Sequence, residues 1–171
     1  SLAPPGFDER NLALSRGSLL ALQRLQVLPH LSTPAEPIRR IDVSRAGDFG
    51  RVQLRAEEHP VDQFGAVVVA RELGEALRRR LQACSDITLR SPAKVISAQR
   101  ETHSIRVRVQ GPQQSCVIQA RLLLAADGSD SPLRLAMGIA ETTHDYQQHL
   151  FVSVLQAARA HQQCAWERFT E

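Results

Sequence analysis

Apolar positions along this chain follow two different spacings. Around Ser15, residues Leu14, Ser18, Ala21, Leu22, Leu25 and Leu28 share one face at steps of three and four, while Arg16 and Gln23 fall elsewhere. That is the repeat of an amphipathic helix, which Pro29 ends. Thr33-Pro34-Ala35-Glu36-Pro37 then reads as a linker. A second helix is predicted from about Arg71 to Cys84, straight after the apolar run Val67, Val68 and Val69. Its stripe is Leu73, Ala76, Leu77, Leu81 and Cys84. Glu72 and Glu75 lie in its first turn and Arg78, Arg79 and Arg80 in its last, as the helix dipole favours.

Elsewhere the period is two. Ile41 and Val43 alternate with Arg40, Asp42 and Ser44, and Val52 and Leu54 with Arg51, Gln53 and Arg55. Ala46-Gly47-Asp48 suits a hairpin between two strands with one dry and one wet face. Ala93 to Gln99, Ser104 to Gln110 and Ser115 to Ala120 read as a three-stranded meander, with Ile105, Val107 and Val109 on one face. Leu122 to Ala126 is apolar on both faces, the pattern of a central parallel strand covered by other layers. Ser131 and Pro132 make a helix start, with Gly138 as its stop. A strand is also predicted within Asp145 to Gln156, and Trp166 to Phe169 reads as the start of another.

Composition narrows the class. With 43% hydrophobic and 23% charged residues in 171, the chain is globular rather than disordered. The net charge of +3 permits an acidic partner, but aromatics are only 4% and do not alternate with basic residues, which argues against nucleic acid. The run Arg78 to Arg80 reads as a solvated helix face. Cys84, Cys116 and Cys164 are odd in number and widely spaced, which fits a reducing cytoplasm. No apolar run approaches the ~20 residues of a membrane span, and Ser1 to Gly6 reads as a loop. The six histidines include no zinc spacing, so no metal is expected. Ser15-Arg-Gly-Ser18 is not a nucleophile elbow.

The chemistry concentrates in Leu122-Leu-Leu-Ala-Ala-Asp-Gly-Ser-Asp-Ser-Pro-Leu-Arg134. A buried strand here would deliver Asp127 and Gly128 to its carboxyl end, where open α/β sheets bind ligands. Gly128 permits a tight reversal or close backbone approach, and the helix start at Ser131 points free amides to the same place. Taken alone, Asp-Gly is a common turn.

In context, the segment resembles the Asp-Gly motif of the flavoprotein aromatic hydroxylases. Two further segments are similar to that family: Asp8-Glu-Arg-Asn-Leu-Ala-Leu-Ser-Arg-Gly-Ser18, and Val67-Val-Val-Ala-Arg-Glu-Leu-Gly-Glu-Ala-Leu77. The resemblance covers nearly the whole chain. Pro37-Ile-Arg-Arg-Ile-Asp-Val-Ser, Gly47-Asp-Phe-Gly and Trp166-Glu-Arg-Phe-Thr point to its ubiquinone-biosynthesis branch.

The resemblance implies an α/β fold of mixed α+β content, with a Rossmann-like flavin domain and a mixed-sheet substrate domain. Residues 1–35 and 65–140 would belong to the first, 36–64 and 141–171 to the second. Arg10 would reach the flavin pyrophosphate, Arg71 the ribityl and phosphate chain, and Val95 would present backbone to the adenine. Asp127 and Gly128 would lie near flavin and nicotinamide. A guanidinium suits phosphate because its planar fork pairs with two oxygens. The plain alternatives are a surface salt bridge for Arg10, a pair with Glu75 for Arg71 and a buried strand residue for Val95.

FAD is the implied cofactor and NAD(P)H the co-substrate, with one oxygen atom of O2 passing to a polyprenyl phenol. The implied location is cytoplasmic, with peripheral contact at the inner membrane and with other ubiquinone-biosynthesis enzymes. No catalytic acid or base is identifiable. The family's Gly-x-Gly-x-x-Gly, its ribose-holding acid and its later Gly-Asp motif are absent, so an internal piece with weak or no FAD binding is expected. Two other classes stay open: a non-catalytic α/β interaction module, and another flavin enzyme such as a halogenase or reductase.

Overall fold

The computed structural model describes residues 9–170. The Ser1 to Gly6 loop and Asp8 lie outside the described residues. The chain forms two compact units: Thr88–Leu150, and the described parts of Ala3–Ile87 with Phe151–Glu171. The second is called here the flanking unit and the first the central unit.

In the flanking unit, β1 (Asn11–Ser15) and β2 (Glu36–Ile38) both pair antiparallel with β5 (Gly65–Val69), which lies between them. Ala66 and Val68 of β5 are buried. Ser15 ends β1 and caps α1 (Arg16–Arg24), its Oγ accepting from the Ser18 amide at 3.2 Å. The predicted helix face shifts, however: Leu19 is buried, whereas Ser18, Ala21 and Leu25 are exposed. The helix stops at Arg24, and Gln26 turns the chain through a positive φ of 59°. Leu25 and Leu28 therefore never extend the stripe.

α2 (Ala70–Gln82) follows β5 directly and buries Gly74 and Ala76. Arg78 and Arg79 of its last turn are exposed, as expected of a solvated face, and Arg79 and Arg80 also bind the chain beyond α1. Arg79 Nη1 donates to the His30 carbonyl and to Ser32 Oγ, both at 2.9 Å. Arg80 Nε donates to the Leu25 carbonyl at 2.8 Å. These carbonyls lie at or beyond the end of α1, where helical partners run out, and guanidinium forks satisfy them.

The predicted hairpin is β3 (Arg40–Arg45) with β4 (Arg51–Arg55), antiparallel, with Ile41 opposite Leu54 and Asp42 opposite Gln53. β9 (Cys164–Phe169) adds to the other side of β3 in parallel. The buried face is the opposite of the one predicted. Asp42 is 2% exposed while Val52 is 60% exposed. Burial of the carboxylate is compensated by Gln53 Nε2, donating at 2.6 Å, and by Arg51 at 3.6 Å.

In the central unit, β6 (Lys94–Arg100), β7 (Ile105–Gln110) and β8 (Ser115–Ala120) form the predicted meander, with Val107 and Val109 buried. The register shifts between Val95 and Ser97. α3 (Pro132–Ala136) packs against β6. Two predicted strands are corrected. Leu122 to Ala126 has no strand partner, and Leu122 and Leu124 are 69% and 77% exposed. Asp145 to Gln156 is likewise not a strand, with Phe151 and Leu155 exposed. A strand exists only through its ladder, and none of the nine described strands pairs with either segment.

Candidate functional site

The residues singled out from the sequence fall into two groups, one per unit. In the flanking unit they meet where β5 passes into α2. The Arg10 carbonyl accepts the Ala70 amide at 2.9 Å, so the residue preceding β1 is tied to the first residue of α2. Arg71 stands one position on. Its Nε donates to Glu9 Oε1 at 2.7 Å, and its Nη1 lies 3.1 Å from Glu72 and 3.7 Å from Glu75. The pairing with Glu75 was foreseen; that with Glu9, 62 positions away, carries no sequence signal. The hydrogen bond and charge of Glu9 hold the Arg71 guanidinium above its ordinary pKa, Glu72 and Glu75 adding to the effect.

Beside this junction runs a cleft of about 410 Å3, lined along β1 and β5 by Asn11, Val67, Val68 and Val69, and elsewhere by Glu36, Glu72 and His161. Glu72 Oε2 is buried there with no hydrogen-bond partner among the described residues. A carboxylate oxygen in that position wants a donor, and a hydroxyl entering the cleft would supply one. The sequence marked Glu72 only as a first-turn acid; its burial depends on segments far apart in the chain.

In the central unit, Asp127 and Gly128 sit between the extended segment and α3. Asp127 Oδ1 accepts from Ser131 Oγ at 2.5 Å, and Oδ2 faces the Leu133 amide at 3.4 Å. The Ser131 hydrogen bond depresses the Asp127 pKa, with the Leu133 amide and the Arg134 charge acting in the same direction against desolvation. Ser131 Oγ in turn accepts from the Arg134 amide at 3.0 Å, closing the cap of α3. Gly128 has φ +92°, and a Cβ there would meet nothing within 4 Å. Its requirement for glycine is thus conformational, and the backbone is open to approach. Val95 pairs with Val109 in the sheet and lines a shallow recess with Thr88, Arg90 and Ile118. It is exposed rather than buried.

These features form no metal centre: among the described residues no group of three or more His, Cys, Asp or Glu could hold an ion. The three cysteines are free.

The fold has counterparts among solved structures. The chain is similar to the OxyS anhydrotetracycline hydroxylase of Streptomyces rimosus, with a TM-score of 0.67 and 21% identity over 84% of this chain and 29% of that one. It is also similar to aklavinone-11 hydroxylase, solved as a ternary complex with FAD and aklavinone. There the TM-score is 0.58 and the identity 18%, over 79% of this chain and 28% of that one. The mixed α/β architecture is that of the aromatic-hydroxylase fold, in part.

Sequence relatives are more particular. The chain is 27% identical over 169 residues to ubiquinone hydroxylase UbiL of Rhodospirillum rubrum, spanning 99% of this chain and 38% of that protein. It is 27% identical over 164 residues to the 3-demethoxyubiquinol 3-hydroxylase of Escherichia coli, spanning 95% and 41%. The chain thus spans about two-fifths of the curated relatives it matches, and these are the ubiquinone hydroxylases its motifs resemble. No family model matches the chain.

Proposed function

We propose that this chain is part of an FAD-dependent aromatic hydroxylase that acts on a polyprenyl phenol in ubiquinone biosynthesis, with NAD(P)H and O2 as co-substrates. The observation that carries the reading is similarity along nearly all of this chain to about two-fifths of more than one ubiquinone hydroxylase. The fold shared with a hydroxylase solved with FAD supports it. In this reading residues 1–35 and 65–140 serve the flavin, and residues 36–64 and 141–171 serve the phenol.

The described residues fit a dinucleotide in part. The orphaned Glu72 Oε2 matches a polyol hydroxyl, and the open backbone at Gly128 matches a close approach by a flat or anionic group. Arg71 fits a phosphate only after exchanging Glu9 for it, since three carboxylates now surround that guanidinium. Asp127 fits as a positioning group: both its oxygens are engaged by the α3 start, so it shapes the turn that presents the Gly128 backbone. Bound FAD would supply the redox and oxygen chemistry, while the protein binds, orients and excludes water. Arg10 would reach the flavin pyrophosphate, and Val95 would present backbone to the adenine.

Among the described residues no helix is long and apolar enough to cross a membrane. In this reading a membrane-dissolved phenol is met by peripheral contact at the cytoplasmic side of the inner membrane, alongside other enzymes of the pathway.

FAD titration of the full-length protein tests the reading. Arg71→Ala and Gly128→Val are each expected to weaken flavin binding by about tenfold or more, the first by loss of a charged donor and the second by strain and blockage. Flavin affinity unchanged in both variants would overturn it.

A further inference from the structure

A second polar cavity lies in the flanking unit, on the hairpin sheet. It measures about 240 Å3 and is lined by Arg39, Arg40, Arg55, Glu57, Gln162 and Gln163. Arg40 and Arg55 are direct partners across β3 and β4, so their side chains leave the same face. Like charges placed opposite one another in a sheet repel, and nothing in the hairpin pattern requires both. Arg40 Nη2 donates to the neutral Gln162 Oε1 at 2.9 Å. Arg55 has only Glu57, at 3.8 Å and largely exposed. The Arg39 side chain has no partner among the described residues. Of the nearby carboxylates, Asp42 is committed to Gln53 and Arg51, and Glu36 to Gln163 and the more distant His161. Three guanidiniums therefore face one carboxylate.

The opposite wall is conformationally unusual. Gln162 and Gln163 have consecutive positive φ values of 53° and 57°, and the Gln163 carbonyl accepts the amides of both Arg39 and Arg40 at 2.9 and 3.1 Å. Two left-handed non-glycine residues in succession persist only where surrounding contacts impose them. Here they bring the Gln162 side-chain amide against Arg40, while the Gln163 side-chain amide donates to Glu36 at 3.3 Å. With its oxygen taken by Arg40, Gln162 has only its NH2 left to offer.

We propose that this cavity binds a phosphate group. Its free groups are nearly all donors, its net charge is positive, and its guanidinium forks approach from both strands. A tetrahedral, acceptor-only dianion satisfies such a set. The group belongs either to a soluble phosphorylated ligand or to a lipid headgroup. The proposal does not depend on the flavin reading.

The experiment is calorimetric titration of the protein with inorganic phosphate at constant ionic strength. Saturable one-to-one binding is expected. Arg39→Gln, which disturbs no contact, and Arg55→Gln should each weaken it by about tenfold. Glu57→Gln should tighten it, and Arg24→Gln, on α1, should leave it unchanged. Retention of the protein on vesicles of phosphatidylcholine with phosphatidylglycerol, competed by phosphate and lost in Arg39→Gln, would assign the headgroup. Phosphate binding without such retention would assign a soluble ligand. No saturable binding by the unaltered protein, or affinity in Arg39→Gln and Arg55→Gln as high as in the unaltered protein, overturns the proposal.

Discussion

Val67 to Val69 and Leu122 to Ala126 are short apolar runs that each lead into a helix start, and the protein treats them differently. The first belongs to β5, which is paired on both sides by β1 and β2 and has Ala66 and Val68 buried. The second is an unpaired, largely exposed stretch. Hydrophobic pattern nominates a strand; partners with free backbone groups decide it. At the helix starts the contrast is smaller. α2 opens on Val69, which gives no side-chain cap, with Arg71 pinned by Glu9 from before β1. α3 opens on Ser131, which caps it from within four residues of Asp127. One junction is held by distant segments and the other by itself.

The comparison can be broken first at Gly65. A Cβ there would stand 2.2 Å from the Leu14 carbonyl oxygen, a backbone atom that cannot swing aside. Gly65→Ala should cost about 3 kcal/mol of flanking-unit stability in denaturant unfolding. An unchanged midpoint would show that β1 and β5 are not so closely apposed. Next, amide exchange should be at least about a hundredfold slower at Val67 to Val69 than at Leu122 to Ala126. Equal rates would erase the distinction.

A smaller effect is expected at Ser131→Ala, where loss of the cap should cost α3 about 1 kcal/mol, read from amide exchange in Leu133 to Met137. The least effect concerns acid. Asp127 has a depressed folded pKa, so its contribution is fully present above the ordinary carboxylate value of about 3.9 and is lost as pH falls through the folded value. NMR titration should find Asp127 below the ordinary value in the unaltered protein and close to it in Ser131→Ala. An ordinary value in both would dissociate the carboxylate from the cap.

Local patterns were readable where local contacts suffice. The meander follows consecutive strands, and α2 and the Ser131 cap follow from spacing within one segment. β1 was missed because Asn11 to Ser15 is short and gains its identity from β5. Asp42 was read onto the wet face because alternation tells which residues share a side, not which side is covered. Arg10, Arg71, Val95, Asp127 and Gly128 were nominated through family resemblance, and they fall in two groups. Their environment was not legible. Glu9 and the unpartnered oxygen of Glu72 arise from chain segments that only folding brings together.

The parallel seam between β3 and β9 joins Arg40 to Cys164 and encloses the entire central unit between its halves. Closing so long a loop carries an entropic penalty before any ladder bond repays it. During synthesis the hairpin must therefore wait, with one edge open, until the enclosed unit has emerged. A ribosome stalled before Cys164 would leave that margin of β3 without its β9 ladder.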